Sequence, residues 1–305
     1  GETLYVVAEG QGYKLKTAKG EDYARTTGLY LETEKGVFEE VKLSTRANVE
    51  QNVEMTKIVF DESLAGQALT VDESQAAIVF ANGGIIDATN LKGEMTFDAS
   101  TGALQISGTD LVSLIGVKIT GATGSAIIVD EGAKFELANS LISGCDAGAE
   151  AVLSNAGQLS LVNVTLADCA SESAMIANAG TLEIANSLFA LNDGALVDGA
   201  YELADSNVDA GAEDAGFVDA ANGDYRLAAF DAIPVDRGSN VATRLACGLV
   251  LDFDLAGSAR IGLGGGSVDA GAFEFAPDAE TLETPSTVVT TFEDIVNPTD
   301  GEISL

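Results

Sequence analysis

Along three stretches of the chain, large apolar residues alternate with polar ones and then break step at an asparagine: KFELANSLISGC from Lys134, QLSLVNVTLADC from Gln158 and TLEIANSLFALN from Thr181. Phe135 and Leu137, Leu159 and Leu161, and Leu182 and Ile184 are separated by Glu136, Ser160 and Glu183. That period of two turns one strand face inward and the other outward. Asn139, Asn163 or Asn186 follows two residues on, and three beyond each stands Ile142, Leu166 or Phe189. One unit earlier Val112, Leu114, Gly116 and Ile119 fit the same frame, with glycine in the asparagine slot. A further short strand is expected around Ile128, Leu153 and Ile176, after which SNAGQL and ANAGTL turn the chain into the next unit.

A repeat of 23 to 24 residues is too short for a helical repeat and fits one turn of a solenoid. The pattern predicts an all-β fold, a right-handed parallel β-helix, the hand being that of such solenoids in general. Coils stacked roughly 4.8 Å apart would pile Asn139, Asn163 and Asn186 at one corner, where carboxamides donate and accept along the axis as a structural ladder.

The period divides the chain. Residues 1–56 lie outside it, alternate apolar and charged positions, and are expected to form a β-rich cap or the tail of a preceding module, since an open last coil offers unpaired backbone to any strand. Coils run over 57–205. Residues 206–276 are rich in Asp and Gly and are expected to close the solenoid. Residues 277–305 are acidic and Thr-rich, a linker followed by the start of a further module.

Composition supports one elongated core: 46% of residues are hydrophobic and only 4 are proline. No apolar run approaches the roughly 20 residues that span a bilayer, and the opening GETLYVVAEG lacks the basic-then-apolar pattern of an export signal. Charge adds a constraint. Residues 1–60 hold 8 Lys and Arg against 10 Asp and Glu, whereas the remaining 245 hold 7 against 38. Such a field repels nucleic acid and other polyanions, attracts divalent cations and basic partners, and keeps a repetitive β surface soluble.

The candidate chemistry is sparse. The chain has no histidine, which excludes histidine bases and His-containing zinc sites. Between residues 61 and 205 the cations are Lys92, Lys118 and Lys134, and Lys118 stacks with Leu141, Thr165 and Leu188, so no basic stripe forms. Asp146 and Asp168 lie near one turn with Glu150 and Glu172 beside them; they are the candidates for a hydrolytic carboxylate pair and equally a solvated edge. Asp219, Asn222 and Asp224 surround a Gly turn and offer oxygen ligands for Ca2+, without the bidentate Glu of an EF-hand; an Asx-type turn explains them as well. Cys145 and Cys169 occupy equivalent slots, six residues past Asn139 and Asn163, and are expected as stacked free thiols; parallel Cβ vectors hold them wider than a disulfide prefers. Cys247 stands alone.

The later segments carry a resemblance. FVDAANGDYRL, DRGSN, DLAGSARI and VDAGAFEF resemble, in order and spacing, the C-terminal portion of bacterial surface β-helix proteins with a choice-of-anchor Q type domain. KIVFDESLAGQALTV resembles the opening of that module, NSLISG and NSLFALN its coils, and VVTTFEDIVNPTDGEISL the start of another. The chain departs from the pattern at Phe230 and Asp231, ahead of Pro234, where a small pair is usual. The resemblance implies a secreted or cell-surface bacterial solenoid, related in architecture to pectate-lyase-like folds and polymorphic outer-membrane proteins, with no catalytic residues to carry over. It implies adhesion or display toward glycans or proteins, the rival reading being a glycan-active enzyme and a third a calcium-dependent surface assembly.

Overall fold

The computed structural model describes residues 83–261 and 266–276 without a break and, before them, the strand stretches 3–9, 12–17, 29–34, 37–41, 56–60, 68–70 and 77–79 with turn residues 19, 65 and 66. The remaining parts of the N-terminal segment, and all of 277–305, lie outside the described residues.

Two hairpins come first. β1 (Thr3–Glu9) pairs antiparallel with β2 (Gly12–Thr17), and β3 (Leu29–Glu34) with β4 (Val37–Val41). Each coil then supplies up to three short strands. A first rung is β5 (Thr56–Phe60), β6 (Ala68–Thr70) and β7 (Ala77–Val79). β8 (Gly84–Asp87), β9 (Thr96–Asp98) and β10 (Leu104–Ser107) make the next, and β11 (Leu111–Ile115), β12 (Lys118–Thr120) and β13 (Ile127–Val129) the one after. In the two most regular coils the first two strands fuse, giving β14 (Lys134–Ser143) with β15 (Leu153–Asn155), and β16 (Gln158–Ala167) with β17 (Ala170–Asn178). β18 (Thr181–Ala185), β19 (Leu188–Ala190) and β20 (Asp193–Gly199) form the last coil. Every rung-to-rung pairing from β5 to β20 is parallel, so the chain is a parallel β-solenoid with no α-helix among the described residues.

The register follows the repeat. Lys134, Gln158 and Thr181 align, as do Leu137, Leu161 and Ile184. Phe135, Leu137, Ile142, Leu159, Leu161, Leu166 and Phe189 are all buried in one apolar column. On the third wall Ile127 aligns with Leu153 and Ile176, whereas Ile128 pairs with Ser154 and faces outward, one position away from the sequence expectation. Because strand faces alternate, that single step exchanges inside and outside.

Asn139, Asn163 and Asn186 sit at one corner with φ of 49°, 52° and 51°, and Gly116 takes the same place with φ of 78°. The left-handed region suits Gly and Asn and strains other residues. The corner resets the alternation, so that the inward positions 135 and 137 are followed by 140 and 142, as Val117, Val164, Ile119 and Leu166 of neighbouring rungs lie in the core. Gly157 and Gly180 serve a second turn for a different reason: a Cβ on Gly157 would lie 2.4 Å from the Ala133 carbonyl oxygen, and one on Gly180 2.0 Å from that of Gly157.

After β20 the chain adds a short rung, β21 (Val208–Asp209), against β19, and a hairpin of β22 (Phe217–Asp219) and β23 (Asp224–Leu227). Residues 236–261 and 266–276 then belong to an arm that runs back along the outside of the rod. Leu245 and Leu251 pack on the outward Ile85, Ile115, Ala138 and Val162. Leu255, Ala272 and Phe273 share a second outer cluster with Leu141, Ala167 and Leu188. The segment expected to close the solenoid reaches along its flank.

Candidate functional site

The arm decides which wall is open. Glu136, outward on β14 and buried, accepts hydrogen bonds from the Ala246 and Cys247 amides at 2.6 and 3.4 Å and from Ser113 Oγ at 2.8 Å. The corner asparagines hold the same arm. Asn163 Nδ2 donates to the Gly271 carbonyl at 3.2 Å, and Asn186 both donates to the Ser239 carbonyl at 3.0 Å and accepts from its amide at 2.7 Å. Asn186 Nδ2 also reaches Asn163 Oδ1 at 3.3 Å, the one carboxamide link along this corner. Asn139 Oδ1 instead accepts from Arg260 Nη2. A closer rung-to-rung carboxamide bond lies at the other turn, where Asn155 Nδ2 donates to Asn178 Oδ1 at 2.7 Å. The phrases SNAG and ANAG were the signal for it.

Arg260 is fully buried and pairs with Glu274 at 2.7 Å. Asp254 and Asp269 complete the knot: Asp254 accepts from the Ser258 and Glu274 amides at 2.6 and 2.9 Å, and Asp269 from those of Asp236 and Phe275 at 2.7 and 2.6 Å. One guanidinium cannot offset three carboxylates out of water. Burial pushes Glu274 up to about 8 and raises Asp254 and Asp269, while it lowers Arg260 against the pull of Glu274. Carboxyls whose folded pKa is raised stabilise the fold fully below their unfolded pKa and lose that contribution as pH rises through the folded value. The melting temperature is therefore expected to fall between about pH 5 and pH 8.5, and Glu274→Gln to flatten that slope in thermal scans.

The wall left open by the arm is the sheet of β7, β10, β13, β15, β17 and β20. Its outward column is Gln105, Ile128, Ser154, Ala177 and Asp198, small or polar apart from Ile128. Beside it the turns after β9, β12 and β14 enclose a groove of about 500 Å³ lined by Ser100, Thr101, Gln105, Thr123, Ser125 and Glu150 among others. Glu150 is its one acidic residue, and one carboxylate oxygen accepts from the Ser125 amide at 3.1 Å and hydroxyl at 3.3 Å. Gln105 Nε2 is fixed by Asp130 at 3.0 Å. Hydroxyls, an amide and one tethered carboxylate can hydrogen-bond a polyol. Glycoside hydrolysis takes two carboxylates flanking one bond.

The other sequence candidates fall elsewhere. Asp146 lies opposite Ala170, and the Gly144 amide bonds the Asp168 carbonyl at 3.1 Å, so the two aspartates occupy different columns. Asp146 caps its own turn through the Gly148 amide at 3.2 Å, and Asp168 accepts from Tyr225 Oη at 3.3 Å. Burial, with the Asp168 charge next, pushes Tyr225 up to about 12, so it stays a donor. Asp219, Asn222 and Asp224 do share one hairpin, but Asn222 Nδ2 donates to Asp219 at 2.7 Å and Arg226 holds Asp224 at 2.6 Å. Among the described residues no group of three or more Cys, Asp or Glu is placed to hold a metal ion. Cys145 and Cys169 are free and buried in the core column on adjacent rungs, with Sγ atoms directed at the Ser143 and Ala167 carbonyls. The neighbouring thiol, with burial next, pushes Cys169 up, and the same pairing lowers Cys145.

No helix of the described residues is long and apolar enough to cross a membrane. No protein-family model matches the chain, no curated protein matches it, and no solved structure matches it.

Proposed function

We propose that the chain is a non-enzymatic extracellular module of a larger bacterial surface protein, a stiff β-solenoid that displays for adhesion the wall its arm leaves uncovered among the described residues. The resemblance of FVDAANGDYRL, DLAGSARI and VDAGAFEF to choice-of-anchor Q type proteins supports the placement at the surface. The observation that carries the non-enzymatic reading is the groove on the open wall, where Glu150 is the lone carboxylate and is tied to Ser125. A neutral glycan fits that lining of hydroxyls and amide. Without an aromatic platform each site binds weakly, and useful adhesion comes from many modules side by side.

The test is a glycan array run beside reducing-sugar and unsaturated-product assays on the oligosaccharides that bind. The expected result is binding that Glu150→Gln weakens about tenfold, equivalent to losing one charge-assisted hydrogen bond, with no product in either assay. Turnover that disappears on changing Glu150 would move the protein to the glycan-active class.

A further inference from the structure

One stretch of the chain breaks the acidic rule. Residues 61–305 hold 7 Lys and Arg against 38 Asp and Glu, but three of each, Arg237, Arg244 and Arg260 with Asp236, Asp252 and Asp254, fall within 236–261, which leaves 4 against 35 for the rest. Arg260 and Asp254 are buried in the knot, so this part of the arm presents Asp236, Arg237, Arg244 and Asp252 to solvent. Neither Arg237 nor Arg244 has an ion-pair partner among the described residues.

Exposed apolar side chains gather on the same stretch. Of the seven large ones among the described residues, four are here: Val241, Val250, Phe253 and Ile261, with Val241 86% exposed. The backbone brings them together. Two small hairpins share residues 250–253, with Arg244 opposite Val250 and Phe253 opposite Ala259, and the Val241 carbonyl accepts from the Arg244 amide at 3.5 Å. The inward Leu245 and Leu251 already pack on the rod. The outward residues therefore contribute nothing to the arm's own attachment, and clustered apolar exposure of this kind marks a contact surface.

We propose that this face of the arm is the contact with a second copy of the chain, related to the first by a two-fold axis beside Val250. A basic partner would be drawn first to the acidic walls, and an acidic one repelled by them. A second copy, itself at a net charge of −33, meets a surface without net charge on this stretch. A two-fold contact must be self-complementary, and this face carries both signs around its apolar residues: Arg244 across from Val250, and Asp252 two residues beyond it. The axis exchanges the two sides, so Arg244 of each copy meets Asp252 of the other. The face is narrow, which makes the pairing weak and the dilute chain monomeric. Pairing through the arm leaves the open wall of both copies free, so one dimer displays two.

The experiment is sedimentation equilibrium of the full chain at physiological salt, where charges more than about 8 Å apart are screened. Wild type, taken up to about 1 mM, is expected to approach a dimer and nothing larger, with a dissociation constant of about 100 μM. Arg244→Glu and Asp252→Arg each set like charges against one another at both contacts, and each alone is expected to associate at least about tenfold more weakly; circular dichroism confirms that both fold. An equimolar mixture of the two restores the dimer, because every contact again joins opposite signs; a structural defect would not be rescued. Asp198→Arg, on the open wall, is expected to leave the dissociation constant within about twofold of wild type. A wild-type chain still monomeric at the highest concentration, growth beyond a dimer, or a mixture that fails to recover would each overturn the proposal. So would weakening by Arg244→Glu with none by Asp252→Arg, the mark of an arm that docks on an acidic wall.

Discussion

Replacing Arg260 with methionine is expected to destabilise the protein by roughly 3–5 kcal/mol at about pH 9, above the titration of Glu274, the cost of leaving a buried ion pair without one partner. Methionine keeps much of the volume, so the loss reports the charge. It leaves Glu274, Asp254 and Asp269 without their shared cation and Asn139 Oδ1 without its donor. Because this knot fastens the arm to the corner of the rod, limited proteolysis should cut first within 236–276 while the coils stay intact. Urea unfolding followed at two probes, one on the arm and one in the coils, measures both effects. The double variant Arg260→Met with Glu274→Gln should recover part of the loss, since it removes the carboxyl that the single change strands. A single variant within 0.5 kcal/mol of wild type would mean the arm is held by its apolar contacts alone.

Phe135→Ala is expected to cost about 3–5 kcal/mol, the range for emptying a large buried aromatic site. Phe135 is 1% exposed and stacks between Val112 and Leu159 of the neighbouring rungs. A solenoid buries each rung only against the next, so the cavity weakens two interfaces at once and the coils on either side have limited freedom to collapse into it. Phe253→Ala is the control. Phe253 is 58% exposed on the arm, and its truncation should fall within about 0.5 kcal/mol of wild type. Equal losses from the two substitutions would show that the apolar column is not where the stability resides.

Much of the coil architecture was legible because its cause is local. Strand alternation, one left-handed corner and a fixed repeat length recur in each coil, and three copies of one phrase display them together. Asn139, Asn163 and Asn186 adopt the left-handed backbone that their residue type favours, and Lys134, Gln158 and Thr181 align as the phrases do. The third strand was placed less well because its signal is three residues long; Ile127 and Ile128 are equally apolar, and only packing tells which faces in. The arm was not legible. Its contacts join residues more than a hundred positions apart, such as Glu136 with Ala246 and Asn163 with Gly271, and no period links them. Outward Ala138, Val162 and Leu141 were the available hint, since solvent-facing positions on a highly acidic wall have no reason to be apolar unless something covers them. The same omission explains the asparagines, whose amides mostly bond the arm. It also explains why Asp146 and Asp168, close in pattern, stand in different columns: neighbouring slots on successive rungs are one column only when the offset equals the repeat.

The central claim is that successive coils pair in parallel and in register around one apolar column. Amide-to-α proton nuclear Overhauser contacts between rungs in protein protonated selectively at these residues test it most directly. The account predicts contacts joining Leu161 to Ile184, Thr165 to Leu188 and Leu137 to Leu161, all with parallel geometry. Antiparallel contacts between these segments, or a register displaced by one residue, would contradict it.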